Sequence, residues 1–173
     1  MPALCHHLLV VKRKFISLRI LPILLFSLIE LNAIGQNEDK TGANYLRMNE
    51  VNSHAARHFL INFPKVNTIG WTKETDTYIA SFQTGSSRAK AYYDNNGNFI
   101  CCMKYCLVEE LDRNLKAAII AKFPECKILT VTQLTSLENQ AYFVNIKCGE
   151  DIKTLCCNED GIKITESFKD VGL

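Results

Sequence analysis

The chain has 173 residues, 47% of them apolar, with 20 Lys and Arg set against 18 Asp and Glu. A charge so nearly balanced carries no electrostatic footprint for nucleic acid. The length suits one domain of common size or two very small ones.

Lys12, Arg13 and Lys14 form a positive cluster ahead of an apolar stretch over 15–29, and small residues follow at Ala33 and Gly35. That order is the layout of a secretory signal, so residues 1–35 are read as a signal peptide cut before Gln36. Arg19 and Pro22 interrupt the apolar run, which falls short of the roughly 20 residues a membrane span needs. The expected protein is therefore exported, periplasmic or secreted, with no span once the signal is gone. Removal of 1–35 takes four Lys/Arg and one Glu with it, turning the net charge from +2 to −1. Residues 36–50 are read as an N-terminal linker.

Two phrases then recur 60 residues apart, "AARHFLINFPKVNTIGW" and "LKAAIIAKFPECKILTV". Each begins as a helix, predicted over 51–62 and 111–122. Ala55, Phe59 and Phe63 repeat every four residues in the first, and Leu115, Ile119 and Phe123 do so in the second. Pro64 and Pro124 end both helices, because the residue before a proline is pushed into extended space. Four short strands follow each helix, at 67–72, 77–84, 89–93 and 98–105, then at 128–133, 141–147, 152–157 and 162–168. Short connections make these antiparallel meanders, with Asn96-Gly97 and Asp160-Gly161 as two-residue hairpin turns. The predicted class is α+β: two tandem repeats, 51–106 and 107–173, each one helix on its own four-stranded sheet.

The landmarks Phe63, Pro64, Trp71, Tyr78, Phe82, Asp94 and Gly97 make a pattern. With Phe123, Pro124, Tyr142 and Gly161 keeping part of it in the second copy, the chain resembles bacterial exported proteins of the PepSY-like, beta-lactamase-inhibitor-protein-like group. Val131 and Asn158 stand where the first copy has Trp71 and Asp94. The resemblance covers about 51–168. It implies tandem helix-on-sheet units and a role in binding or inhibition in the periplasm, with no catalytic residues to carry over.

Seven of the eight cysteines lie beyond residue 35, an odd count that leaves at least one thiol unpaired in a monomer. No C-x-x-C occurs, so neither a thioredoxin-type motif nor a zinc knuckle has its spacing. Cys126 and Cys148 flank the first hairpin of the second copy. The register that stacks Val131 on Tyr142 sends them to opposite faces, which argues against a bridge. Cys102 and Cys157 are expected buried, Cys101 and Cys156 exposed and reactive.

Catalytic constellations are missing. His54 and His58 share a helix face and could hold a metal, but a zinc-protease helix would carry Glu between them. Glu109, Glu110 and Asp112 read as acids complementing the start of the second helix. Ser86 and Ser87 lack the spacing of a nucleophile elbow. No cofactor is expected, and no enzyme.

Strand alternation says more. With Asn96-Gly97 and Glu74-Thr75 as turns, Tyr93 pairs with Ile100, Tyr92 with Cys101 and Trp71 with Tyr78. Trp71, Tyr78, Ala80, Phe82, Ala91, Tyr93, Ile100 and Cys102 then lie beneath the helix. The opposite face receives Ile79, Tyr92, Phe99, Cys101, Met103 and Tyr105, with Phe143 on the second sheet. So apolar an open face is read as the site for a protein or peptide partner, such as an envelope enzyme, centred on Tyr92, Phe99, Met103, Tyr105 and Phe143. Two other readings stand beside it: an enzyme or a metal- or thiol-dependent protein using His54, His58 and free thiols, and a structural envelope subunit whose apolar face is a homo-oligomer seam. The oligomeric state is not legible.

Overall fold

Helix formation begins at side chains that satisfy the first free amides. The structure, a computed structural model, describes residues 45–170, leaving aside the side chains of 67–69. The signal reading of 1–35 and the linker reading of 36–44 lie outside the described residues. Asn52 caps helix α1 (Ser53–Asn62), its side chain accepting from the His54 amide at 2.9 Å. Asp112 caps α2 (Arg113–Lys122), accepting from the amides of Asn114 at 2.9 Å and Leu115 at 3.0 Å. A cap of this kind typically stabilises by about 1 kcal/mol. Both helices close alike, the Phe63 amide donating to Phe59 and the Phe123 amide to Ile119, directly before the prolines.

The strands are β1 (Tyr45–Leu46), β2 (Asn67–Glu74), β3 (Thr77–Thr84), β4 (Ser87–Tyr93), β5 (Phe99–Cys106), β6 (Lys127–Thr135), β7 (Gln140–Cys148), β8 (Asp151–Asn158) and β9 (Gly161–Lys169). They form one antiparallel sheet in the order β1 to β9. This overturns the expectation of two helix-on-four-strand repeats with a sheet each. The fold is mostly β, one nine-stranded sheet with two short helices among the described residues. The joint is β5 against β6, where Cys102 to Cys106 pair with Thr135 to Val131. Two separate sheets would leave both edges with unpaired backbone groups, and pairing them removes that cost. The segment read as linker also contributes β1, paired with β2 through Tyr45 to Thr72 and Leu46 to Trp71.

One face of the sheet carries two cores. Ala55 and Phe59 of α1 are buried with Trp71, Phe82, Ala91 and Tyr93 of the sheet. Ile119 of α2 is buried with Leu111, Val131, Val144, Ile146 and Leu155. Phe59 meets Trp71 and Phe82 edge-on, ring centroids 5.4 and 5.1 Å apart. Edge-to-face ring pairs of this type add roughly 1 kcal/mol beyond the area they bury.

Turn chemistry departs from the two-residue expectation at β4–β5, where the connection spans 94–98. Asp94 organises it, accepting from the Asn96 and Asn98 amides at 2.9 and 2.8 Å and from the Asn98 side chain at 2.9 Å. Those bonds, that of the Asn98 side chain foremost, hold the Asp94 carboxyl below its ordinary value. Gly97 has φ +83°, and a Cβ there would stand 2.8 Å from the Ala55 nitrogen, so only glycine lets the loop rest on the start of α1. At β2–β3 the turn is Thr75-Asp76, since Glu74 pairs with Thr77; Trp71 therefore faces Ala80. That two-residue slip keeps Trp71 on its expected face.

Candidate partner-binding face

Alternation along each strand sends one set of side chains beneath the helices and the other to the opposite face. Three rows can be followed across that second face. Ile79, Tyr92 and Cys101 pair in sequence over β3 to β5. Lys90, Met103, Leu134 and Ala141 continue from β4 to β7. Arg88, Tyr105, Thr132, Phe143, Cys156 and Lys163 run without a break from β4 to β9. Neither helix-side core contains any of these residues.

Tyr92, Met103, Tyr105 and Phe143 thus share the predicted face, and the continuous sheet brings Phe143 into one row with Tyr105. Phe99 does not belong there. The register shifts between Tyr92 and Tyr93, so that Tyr92 pairs with Cys101 but Tyr93 pairs with Phe99. One extra residue in β5 rotates Phe99 to the helix side. There its ring stacks on His58 at 4.9 Å and meets Tyr93 edge-on at 5.7 Å. Ile100, expected beneath the helix opposite Tyr93, loses that pairing.

The expectation that this face is open also needs correction at its centre. Met103 is 1% exposed and Tyr92 6%, while Phe143 stands at 9% and Tyr105 is half-buried. Cys101, expected to be reactive, is fully buried, and burial pushes its thiol up to about 12. Cys156 on the same face is half-buried and its thiol is raised by burial, partly offset by Lys163. Cys157 is buried as expected, and Cys102 is half-buried. Nucleophilic thiols need a lowered pKa, and all five free cysteines among the described residues are shifted upward.

The other candidate groups are accounted for by packing. His58 sets Nδ1 3.2 Å from the Tyr93 hydroxyl, at the margin of the first core. Among the described residues no group of three His, Cys, Asp or Glu side chains is gathered to hold a metal. Of the three acids near α2, Asp112 alone caps it. Glu110 lies in a 3-10 turn, Val108–Glu110, and turns away to accept from the buried Ser87 hydroxyl at 2.7 Å, with Lys104 at 3.4 Å. Those contacts, the Ser87 bond first, hold its carboxyl below the usual range.

Sequence reasoning missed Leu134, Ala141 and Arg88 as members of the face. Leu134 and Arg88 fell outside the predicted strands, which ended at 133 and began at 89. The alternation Thr132, Leu134 was a usable signal for one more residue of β6. No helix among the described residues is long and apolar enough to cross a membrane.

Solved structures share this fold at low identity. A DUF2874 family protein from Bacteroides uniformis is 12% identical, with TM-score 0.57 over 69% of this chain and 89% of its own. A BLIP-like protein from Bacteroides fragilis is 14% identical, with TM-score 0.57 over 69% of this chain and 86% of its own. A Bacteroides eggerthii protein named as periplasmic is 11% identical, with TM-score 0.55 over 68% of this chain and 87% of its own. The resemblance to beta-lactamase-inhibitor-protein-like proteins drawn from the sequence therefore holds at the level of fold. No protein-family model and no curated protein matches the chain.

Proposed function

We propose that the chain is an exported, periplasmic, non-catalytic module of PepSY-like descent that binds a protein or peptide on the sheet face opposite its helices. One observation carries this reading. The apolar rows through Tyr92, Met103, Leu134 and Phe143 lie outside both helix-side cores, so the fold spends large apolar side chains on a face that neither helix covers. Aromatic and Met side chains are enriched at protein interfaces, and the half-buried Tyr105 is the ring of these rows left within reach of a partner. The name of the Bacteroides fragilis neighbour supports an inhibitor-like module, and that of the Bacteroides eggerthii neighbour supports the compartment. The signal-like layout of residues 1–35 supports export. The upward-shifted thiols speak against a thiol-dependent activity.

Site-specific photo-crosslinking in the periplasm tests the reading. A crosslinker in place of Tyr105 should give a discrete adduct of higher mass. The same group in place of Leu60, 58% exposed on α1, should give none. Adducts from position 60 alone would reject the face.

A further inference from the structure

Helix α1 carries a second stripe beside the one that faces the core. Ala55 and Phe59 point inward, whereas Ser53, Ala56, Arg57, Leu60 and Ile61 recur at the spacing i, i+3, i+4, i+7, i+8 along one flank. The chain leading into the helix, at Met48, Asn49 and Val51, walls that flank, and between them runs a groove of about 590 Å³. Small-ligand sites occupy roughly 300–1,000 Å³, mostly apolar with a few polar groups that set orientation. Met48, Leu60 and Ile61 are all exposed there. One exposed apolar side chain is ordinary; three around a single hollow are not. Arg57 is the one charged residue lining the groove, and among the described residues it makes no ion pair. No acid stands anywhere on α1.

The second half does not repeat the arrangement. Sixty residues on, Arg57, Leu60 and Ile61 correspond to Ala117, Ile120 and Ala121, and Lys116 stands for Ala56. Val108, the counterpart of Met48, packs against the second core. The groove therefore comes from side chains of the first half rather than from the fold.

We infer that this groove binds a single-chain anionic amphiphile of the fatty-acid class, its tail along Ala56, Leu60 and Ile61 and its carboxylate on the Arg57 guanidinium. A planar guanidinium matches a carboxylate with two parallel hydrogen bonds, and Asn49 and Ser53 add donors at the same end of the groove. A hollow between a helix and the chain leading into it suits one free acyl chain better than a flat bilayer surface. The sheet face proposed for the protein partner takes no part, so the two readings stand or fall separately.

The test titrates the purified protein with dodecanoate and with dodecyltrimethylammonium, the same tail under opposite charges, each below the concentration at which it forms micelles. Calorimetry should show dodecanoate binding once per chain and more tightly than the cation. Arg57→Gln should weaken dodecanoate roughly threefold and leave the cationic amphiphile unharmed. Leu60→Ala with Ile61→Ala should weaken both roughly tenfold. All three residues are exposed, so both variants should keep their circular dichroism. Equal affinity for the two head groups, no binding of either, or an Arg57→Gln variant with wild-type affinity would overturn the inference. Dodecanoate binding that survives Leu60→Ala with Ile61→Ala would place the amphiphile elsewhere and overturn it too. A protein that ignores dodecanoate yet co-floats with vesicles of anionic phospholipid would replace the ligand site by a membrane-docking surface. None of these outcomes alters what crosslinking at position 105 reports about the partner face.

Discussion

At the scale of single residues, the first core is tuned at His58. Its ring is pressed between α1 and the β5 start, stacked on Phe99 at 4.9 Å with Nδ1 against the Tyr93 hydroxyl. Burial pushes its pKa below the ordinary value of 6.5, and His54 one turn earlier adds to the effect. A folded pKa below the unfolded one means that the folded state binds its proton less readily. The stability tied to the neutral ring is thus fully present above about pH 6.5 and is lost as the pH falls through the lower, folded value. Urea midpoints measured from pH 7.5 to 5 should fall faster for the wild type than for His58→Gln. Parallel curves would show that this ring is not the titrating group. Trp71 in the same core is 3% exposed, and its indole N–H has no hydrogen-bond partner among the described residues, a cost the surrounding rings must offset.

At the scale of elements, β-bulges decide what could be read from the sequence. The C-terminal helix ends were legible because Phe-Pro acts locally, while the predicted starts at 51 and 111 run two residues ahead of the observed ones, which the Asn52 and Asp112 caps set. Each predicted strand overlaps an observed one, with ends differing by two residues at most. The bulges were not legible, since one extra residue leaves no mark in an alternating apolar pattern. Their consequences are large. Above Leu129, Thr130 pairs with Asn145; below it, Ile128 pairs with Ile146, so the register changes by one. That change turns Cys126 to the side of Cys148, and the two form a disulfide with Cα atoms 4.4 Å apart. The bridge was argued against from a register without the bulge, and the bulge is what reverses the outcome. The register also slips at Ile69, between Thr68 and Gly70, 60 residues earlier. For a separation of 22 residues the bridge is worth about 3 kcal/mol. Cys126→Ala with Cys148→Ala should lower unfolding stability by about that amount, read by urea titration, and reductant should do the same to the wild type but nothing to the variant. A reductant effect that persists in the variant would point to another bridge.

At the scale of the whole molecule, the joint between β5 and β6 puts the two cores on one continuous sheet, from which a single cooperative unfolding transition is expected. The chain has a single tryptophan, Trp71, and it lies in the first core. Ile119 is 1% exposed in the second. Truncating so buried an isoleucine typically costs 2–5 kcal/mol, about 3 at its centre. Ile119→Ala should therefore shift the unfolding midpoint seen by Trp71 fluorescence as far as the midpoint seen by far-ultraviolet circular dichroism. A tryptophan transition that stays at its wild-type position would mean that the halves melt separately.

The sheet's strand order, β1 to β9 without a crossover, has a consequence for how fast the chain finds its native state. Every ladder joins strands that are consecutive in sequence, so each pairing closes a short loop at small entropic cost. The two longest closures bring β2 back to β1 across residues 47–66 and β6 back to β5 across residues 107–126, and a helix forms within each stretch. Folding speed follows the mean sequence separation of contacts, and sandwiches and barrels are slow because theirs is large. This meander can assemble as a zipper, hairpin by hairpin from either half. With the Cys126–Cys148 bridge kept intact, stopped-flow refolding followed by Trp71 fluorescence should be complete in milliseconds rather than seconds.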